Sequence, residues 1–193
     1  MAKPIVSSRD MLKYYVLAFD PSGAYEKGKG TTGWCVMDCT CSRIIQIGTL
    51  KATDYPSKYE YWDAHIQLIR KMLKQYGDKL AISIEDYILY ANKAEAQVNS
   101  NFETVRLIGI IEHYCWNNGV HCRTRLAATA KTRYTDDVLV YKKLIKPCLG
   151  GYIVDCANDH LLATHELDAI RHAMYYTAFE NVDKGAILNE QHH

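Results

Sequence analysis

Four side chains in this sequence have the types and spacing for metal chemistry. Asp20 closes the apolar run KYYVLAFD, Glu85 closes the run KLAISIED with Asp86 directly behind it, and His165 and Asp168 stand three residues apart in ATHELDAIRHAMYY. Residues three apart share one face of a helix, so the last pair brings an imidazole and a carboxylate together. Taken singly, an acid at a strand end is usually a turn former. Taken together, three carboxylates with no neutralising lysine among them raise one another's pKa, and a bound divalent cation relieves that repulsion. Such an oxygen-rich donor set suits Mg²⁺ or Mn²⁺, which tolerate several retained waters. Paired ions of this kind serve phosphodiester hydrolysis by stabilising the attacking and leaving oxygens.

The elements that must position these groups follow from the hydrophobic pattern. Residues 13–20 read as a buried strand, and TGWCVMDC and RIIQIGTLKA as two more, joined by a tight polar connection through Asp38 to Ser42. Three consecutive antiparallel strands result. From Ser57 to about Tyr76 the pattern turns helical, with Tyr61, Ile66, Ile69 and Leu73 inward, Ser57 as cap and Gly77 as stop. KLAISIED is a fourth strand. A helix over roughly 94–118 follows, with Val98, Phe102, Val105, Ile108, Ile111 and Cys115 along one side and Gly109 leaving room for another element to approach. GVHCRTRL is the fifth strand. ATAKTRY and DDVLVYKKLIKPCLG predict a short helix and a longer one, and a last helix runs from residue 158 or 165 to Phe179. In an α/β sheet of this order, functional groups gather where strand ends open into loops. With the first and fourth strands adjacent, Asp20 and Glu85 emerge at one edge.

Composition narrows the class. A chain of 193 residues, 48% hydrophobic and 23% charged, predicts one globular domain with its core over about 13–180 and short tails. The net charge of +1 means that a nucleic-acid surface would need its basic residues clustered on one face. The seven cysteines are an odd number, and no apolar leader precedes them, so reduced thiols in an intracellular compartment are expected. Cys39 and Cys41 form a C-x-C with no second pair at zinc-ligand spacing. No run approaches the roughly 20 apolar residues that span a bilayer.

The segments LAFDPSG with TGW, AISIEDYILYANKAEAQ with RLIGIIE, ATAKTRYT and HELDAIRHA, in that order over residues 13–178, resemble the RuvC family of Holliday junction resolvases in the RNase H-like superfamily. The resemblance implies an RNase H-like fold: a five-stranded mixed sheet, β1-β2-β3 antiparallel and β4 and β5 parallel to β1, flanked by helices. It implies a homodimer that cuts four-way DNA junctions by paired incisions, with two Mg²⁺ or Mn²⁺ ions per site. By the same resemblance Asp20 matches a central bridging ligand, and Glu85 and Asp168 match flanking ones. His165 falls where members carry an acid or a histidine, at the second metal or beside the attacking water. Asp86 is either a further ligand or a strand-end cap. The loop of residues 22–30 is longer than expected of a cellular resolvase, which suggests a phage-type or viral member.

On the DNA side, Lys93, Arg123, Arg125, Lys131, Arg133, Lys142, Lys143 and Lys146 are expected to contact phosphates, and Tyr87 and Tyr90 to stack at an opened branch point. His65, His113, His121, His160 and His172 read as ordinary core or surface histidines, and the long-helix stripe as core or dimer interface. Three alternatives remain at this level: a nuclease acting on flap DNA or an RNA–DNA hybrid, a non-catalytic DNA-binding module of the same fold, and an actin-like ATPase. The last is disfavoured, because the chain is short for a second lobe and has no second phosphate-binding glycine loop.

Overall fold

In the computed structural model, which describes residues 12–25, 28–88, 102–157 and 160–181, β1 (Tyr15–Asp20) is the central strand of a five-stranded sheet. β2 (Thr31–Asp38) pairs antiparallel with β1, and β3 (Arg43–Lys51) antiparallel with β2. β4 (Leu80–Asp86) lies parallel along the other side of β1, and β5 (His121–Leu126) parallel to β4. The order β3-β2-β1-β4-β5 is the expected topology. At the β2–β3 turn the Asp38 carboxylate accepts hydrogen bonds from the Thr40 backbone N–H at 2.9 Å and hydroxyl at 2.6 Å, closing a side-chain-supported turn.

Helices cover both faces. α1 (Lys58–Tyr76) starts at Ser57, whose hydroxyl accepts from Glu60 N–H, and stops at Gly77 with φ 61°, a conformation glycine adopts without penalty. It buries Tyr61, Trp62, His65, Ile66, Ile69 and Met72, while Leu73 stays half-buried. α2 (Glu103–Asn117) packs beside α1. α3 (Ala127–Arg133) and α4 (Asp136–Tyr141) follow β5. α5 (Thr164–Tyr175) crosses the opposite face over β1 and β2, and continues as a π-helical segment, Tyr176–Glu180. None of the described helices is long and apolar enough to cross a membrane.

Two expectations about helices need correction. The inner side of α2 runs through Leu107, Ile108, Ile111 and Cys115, whereas Phe102 and Val105 face solvent. Phe102 precedes the helix with φ 52°, so it does not continue the helical stripe, and an added Cβ at Gly109 would meet nothing within 4 Å among the described residues. Val98 and the rest of residues 89–101 lie outside the described residues. The second correction concerns DDVLVYKKLIKPCLG, whose helix ends at Tyr141. Lys143 turns with φ 58°, Leu144 and Ile145 drop into the core, and Pro147, which has no N–H to donate, sits in a short hairpin of β6 (Lys146–Cys148) and β7 (Gly151–Ile153).

Strand alternation decides where the acids point. On β1, Leu17 and Phe19 join the α1/α2 core, while Val16 and Ala18 join the α5 core. Side chains two apart share a face, so Asp20 continues the Val16–Ala18 row toward α5. On β4, Leu80, Ile82 and Ile84 face α1 and α2, which leaves Ala81, Ser83 and Glu85 on the α5 side. Phe19 pairs with Ile84, so Asp20 and Glu85 leave neighbouring strands at one level and on one face. Small residues on that face, Ala18 and Ala81, pack in one cluster with Ala169 and Ala173 of α5 and let the helix lie close.

Candidate metal centre

Gly33 seats the start of α5 on the sheet. It is the register partner of Asp20, and a Cβ there would lie 2.1 Å from the backbone C and O of His165. Only a glycine leaves that space, and the contact puts the His165 ring beside the strand end. His165 Nδ1–H donates to Asp20 Oδ2 at 2.6 Å. That hydrogen bond, ahead of the opposing effect of partial burial, holds the imidazole above its ordinary range. Asp20 is itself raised above the usual carboxylate value, first by burial and then by the charge of Glu85, against the lowering effect of the His165 hydrogen bond.

One turn along α5, Asp168 faces the same point. Asp20, Glu85 and Asp168 each offer an oxygen, and these oxygens lie within 4.8 Å of one another. Asp20 and Asp168 are buried and Glu85 is half-buried. A cleft of about 180 Å³ opens over the strand ends, lined by Asp20, Glu85, Asp86, Tyr87 and Thr104. The Asp86 carboxylate accepts the Tyr87 backbone N–H at 2.8 Å, the strand-end cap, and takes no part in the three-acid cluster.

Contrary to expectation, a lysine does stand among the acids. Lys131 of α3 places Nζ 2.8 Å from Asp168 Oδ2 and 3.5 Å from Glu85 Oε1. Burial alone would lower this ammonium, but the Asp168 hydrogen bond and the charges of Glu85, Asp168 and Asp20 outweigh it and hold it above the usual lysine value. A cation therefore already sits where the carboxylate oxygens converge. This placement, with the hard-oxygen donor set and the mutual repulsion felt at Asp20, fits a divalent metal ion.

Each carboxylate is also held by a side chain of α5 that leaves its second oxygen for the centre. His165 holds Asp20 Oδ2, His172 Nε2 lies 3.1 Å from Glu85 Oε2, and Arg171 pairs with Asp168 Oδ1. Arg171 extends the set outward, to Asp136 and to the Tyr134 carbonyl at 3.0 Å. Sequence reasoning missed Arg171 and gave His172 an ordinary role. Their signal is the helical spacing of residues 165, 168, 171 and 172, which puts all four on one side of α5.

The loop after Asp20 is tied down over Ser22–Tyr25. Ser22 N–H donates to Thr32 Oγ1 and its carbonyl accepts from Tyr61 Oη, while Gly23 receives Trp62 Nε1–H and donates to Thr104 Oγ1. Tyr25 N–H donates to Glu103. Beneath it His65 is fully buried, its Nδ1 2.9 Å from the Tyr61 carbonyl and its Nε2 2.9 Å from Thr32 Oγ1. A carbonyl only accepts, so Nδ1 carries the proton and the Thr32 hydroxyl donates to Nε2.

The other basic residues do not gather at the cleft as one group. Arg123 and Arg125 are exposed on the edge strand β5, Arg125 in an ion pair with Glu180. The Arg133 guanidinium lies 5.1 Å from the centre of the Phe179 ring. Lys142 and Lys143 line a recess with Arg43 at the β2–β3 turn, and Lys146 pairs with Asp155 at 2.5 Å. Lys93 and Tyr90 lie outside the described residues, and Tyr87 lines the cleft.

No family model and no curated protein matches this sequence. Among solved structures the chain is similar to T. thermophilus RuvC in complex with a Holliday junction substrate, with TM-score 0.59 at 14% identity over 88% of this chain and 98% of that one. It is also similar to a second Thermus thermophilus RuvC structure, with TM-score 0.54 at 13% identity and the same coverage of both chains. The likeness is one of fold, and it agrees with the RNase H-like arrangement described above.

Proposed function

We propose that this chain is a metal-dependent endonuclease that resolves four-way and related branched DNA by paired cuts, acting as a homodimer. The observation that carries the reading is the meeting of Asp20, Glu85 and Asp168 within 4.8 Å at the edge of this sheet. The shared fold of a RuvC solved with a Holliday junction supports the choice of substrate. Asp20, Glu85 and Asp168 would together hold two Mg²⁺ or Mn²⁺ ions, with Asp20 as their shared ligand. Bound there, the ions would supply an activated water and charge stabilisation for phosphodiester hydrolysis. The chain's own residues prepare that site: His165, partly exposed, fixes the Asp20 carboxylate and would stand beside the second metal or the attacking water, and Lys131 adds positive charge beside the acids. Arg123, Arg125 and Arg133 would meet phosphates, with a marked salt dependence, whereas Lys142 and Lys143, at the β2–β3 turn by the Tyr15 end of β1, would meet DNA only away from the cleft. The exposed Phe102, Val105, Ile110 and Trp116 of α2 and its start suit a two-fold helix contact, which would place two sites on strands of like polarity.

The test is cleavage of synthetic junction, flap, duplex and hybrid substrates with and without Mg²⁺, by the wild type and Asp20→Asn. Junction binding that survives while cutting stops supports the proposal, and unchanged cutting by the variant rejects it. Preferred cutting of flap or hybrid would move the reading to another nuclease of this fold. A chain that sediments as a monomer at micromolar concentration, also with junction DNA, excludes paired symmetric cutting.

A further inference from the structure

His172 is 1% exposed, on the side of α5 that faces the sheet, four residues beyond Asp168. Its Nε2 lies 3.1 Å from Glu85 Oε2. Its Nδ1 is buried and has no hydrogen-bond partner among the described residues. A carboxylate only accepts, so the pairing requires the ring proton on Nε2, pointing at Glu85. The opposite tautomer would orphan a buried N–H and leave two lone pairs facing each other. Glu85 Oε1, the oxygen that His172 does not touch, is the one that faces Lys131 at 3.5 Å.

We infer that His172 is a positioning residue for Glu85: its Nε2–H pins one carboxylate oxygen so that the other is presented to a divalent cation held with Asp20 and Asp168. The inference rests on the three-acid cluster being a cation site. His165 and Arg171 hold the other two carboxylates, but both have further exposure or partners: the His165 side chain is 42% exposed, and Arg171 also grips Asp136 and Tyr134. His172 has Glu85 as its sole hydrogen-bond partner among the described residues, so its loss falls on that one ligand. Partners of this kind set the orientation of a metal-binding side chain, and removing one typically lowers metal affinity ~10–100-fold.

The test combines Mn²⁺ titration calorimetry, thermal unfolding, and ¹⁵N spectra of the histidine rings for the wild type, His172→Leu and His172→Gln. In the wild type the His172 ring should show the Nε2–H tautomer. His172→Leu should bind Mn²⁺ ~10–100-fold more weakly, and His172→Gln, whose amide N–H can reach the same oxygen, should recover most of that loss. A folded His172→Leu with wild-type Mn²⁺ affinity overturns the inference, as does an Nδ1–H tautomer in the wild type. If His172→Leu does not fold, the glutamine variant and the tautomer decide. Absence of saturable Mn²⁺ binding in the wild type defeats the cation site itself, and the ring spectrum then still accepts or rejects the His172–Glu85 pairing.

Discussion

Replacing Gly33 with alanine should lift the start of α5 off the sheet. The added Cβ would lie 2.1 Å from His165 C and O and 2.5 Å from Glu166 N, all backbone atoms that cannot swing away. Ordinary contact begins near 3.4 Å, so the helix must retreat by roughly 1.3 Å in a close-packed interface. His165 rides on that backbone with Nδ1 2.6 Å from Asp20, and a retreat of this size takes the pair past the ~3.2 Å limit of a good hydrogen bond. Overpacking of this kind costs about 1–3 kcal/mol of stability, and a misplacement near 1 Å at reacting groups costs ~10²-fold in rate. Gly109 provides the contrast, since a Cβ there meets nothing within 4 Å among the described residues and alanine in a helix gains up to ~1 kcal/mol over glycine. Denaturant unfolding and metal-dependent junction cutting should be measured for the wild type, Gly33→Ala and Gly109→Ala. A Gly33→Ala protein with wild-type stability and wild-type cutting would refute the seating of α5 through this glycine. The unfolding curve alone bears on the seating, whatever the substrate proves to be.

Burial pushes the His65 imidazole down to about 4 from an ordinary 6.5. Between those values the unfolded chain takes up a proton that the native chain refuses, so stability is whole above about 6.5 and declines as pH falls toward 4. The full loss is about 3 kcal/mol. The stability difference between the wild type and His65→Gln should therefore shrink by about that much in acid, and a constant difference across the range would exclude the linkage. Lys131→Met removes the cation 2.8 Å from Asp168. Discounted for the lysine's partial exposure, about 1 kcal/mol should go, a fall of roughly 2–4 °C in unfolding temperature without metal. Added Mn²⁺ should then raise that temperature further in the variant than in the wild type, and equal shifts would count against Lys131 as the metal's stand-in.

The sheet was legible because β1, β2 and β4 carry apolar side chains on both faces and end in polar turns. The same feature hid which way the acids point. With Leu17 and Phe19 on one side and Val16 and Ala18 on the other, period-two contrast is absent, and the direction of Asp20 comes only from the packing of α1, α2 and α5. The end of α4 departs from the sequence reading for a related reason. Leu144 and Ile145 extend the helical spacing of Val138 and Tyr141, yet they reach the core through a turn at Lys143. Hydrophobic spacing records that a residue is buried, and is silent about a backbone reversal that buries it from another direction.

The ligand candidates were legible as types at strand ends and on a helix, whereas the groups that hold them were not. Arg171 and His172 look like ordinary residues of an amphipathic helix until the sheet brings Asp168 and Glu85 against them. Lys131 reads as a phosphate contact because it belongs to the basic run on the fifth strand and the helix after it, far along the chain from Asp20, Glu85 and Asp168. The repulsion among three carboxylates was therefore judged without its actual counter-charge. The fold supplies that charge by turning α3 back from the end of β5, which pairs with Glu85 and Asp86 through Arg125 and Leu126. A metal ion would consequently not meet an unopposed ring of acids. A bound ion would compete with an ammonium for Asp168 Oδ2 and Glu85 Oε1, while His165, His172 and Arg171 hold the other oxygens. Metal affinity and the position of Lys131 would thus be coupled, and a lysine displaced from these oxygens would stay close to the acids, where it could meet the phosphate of the proposed substrate.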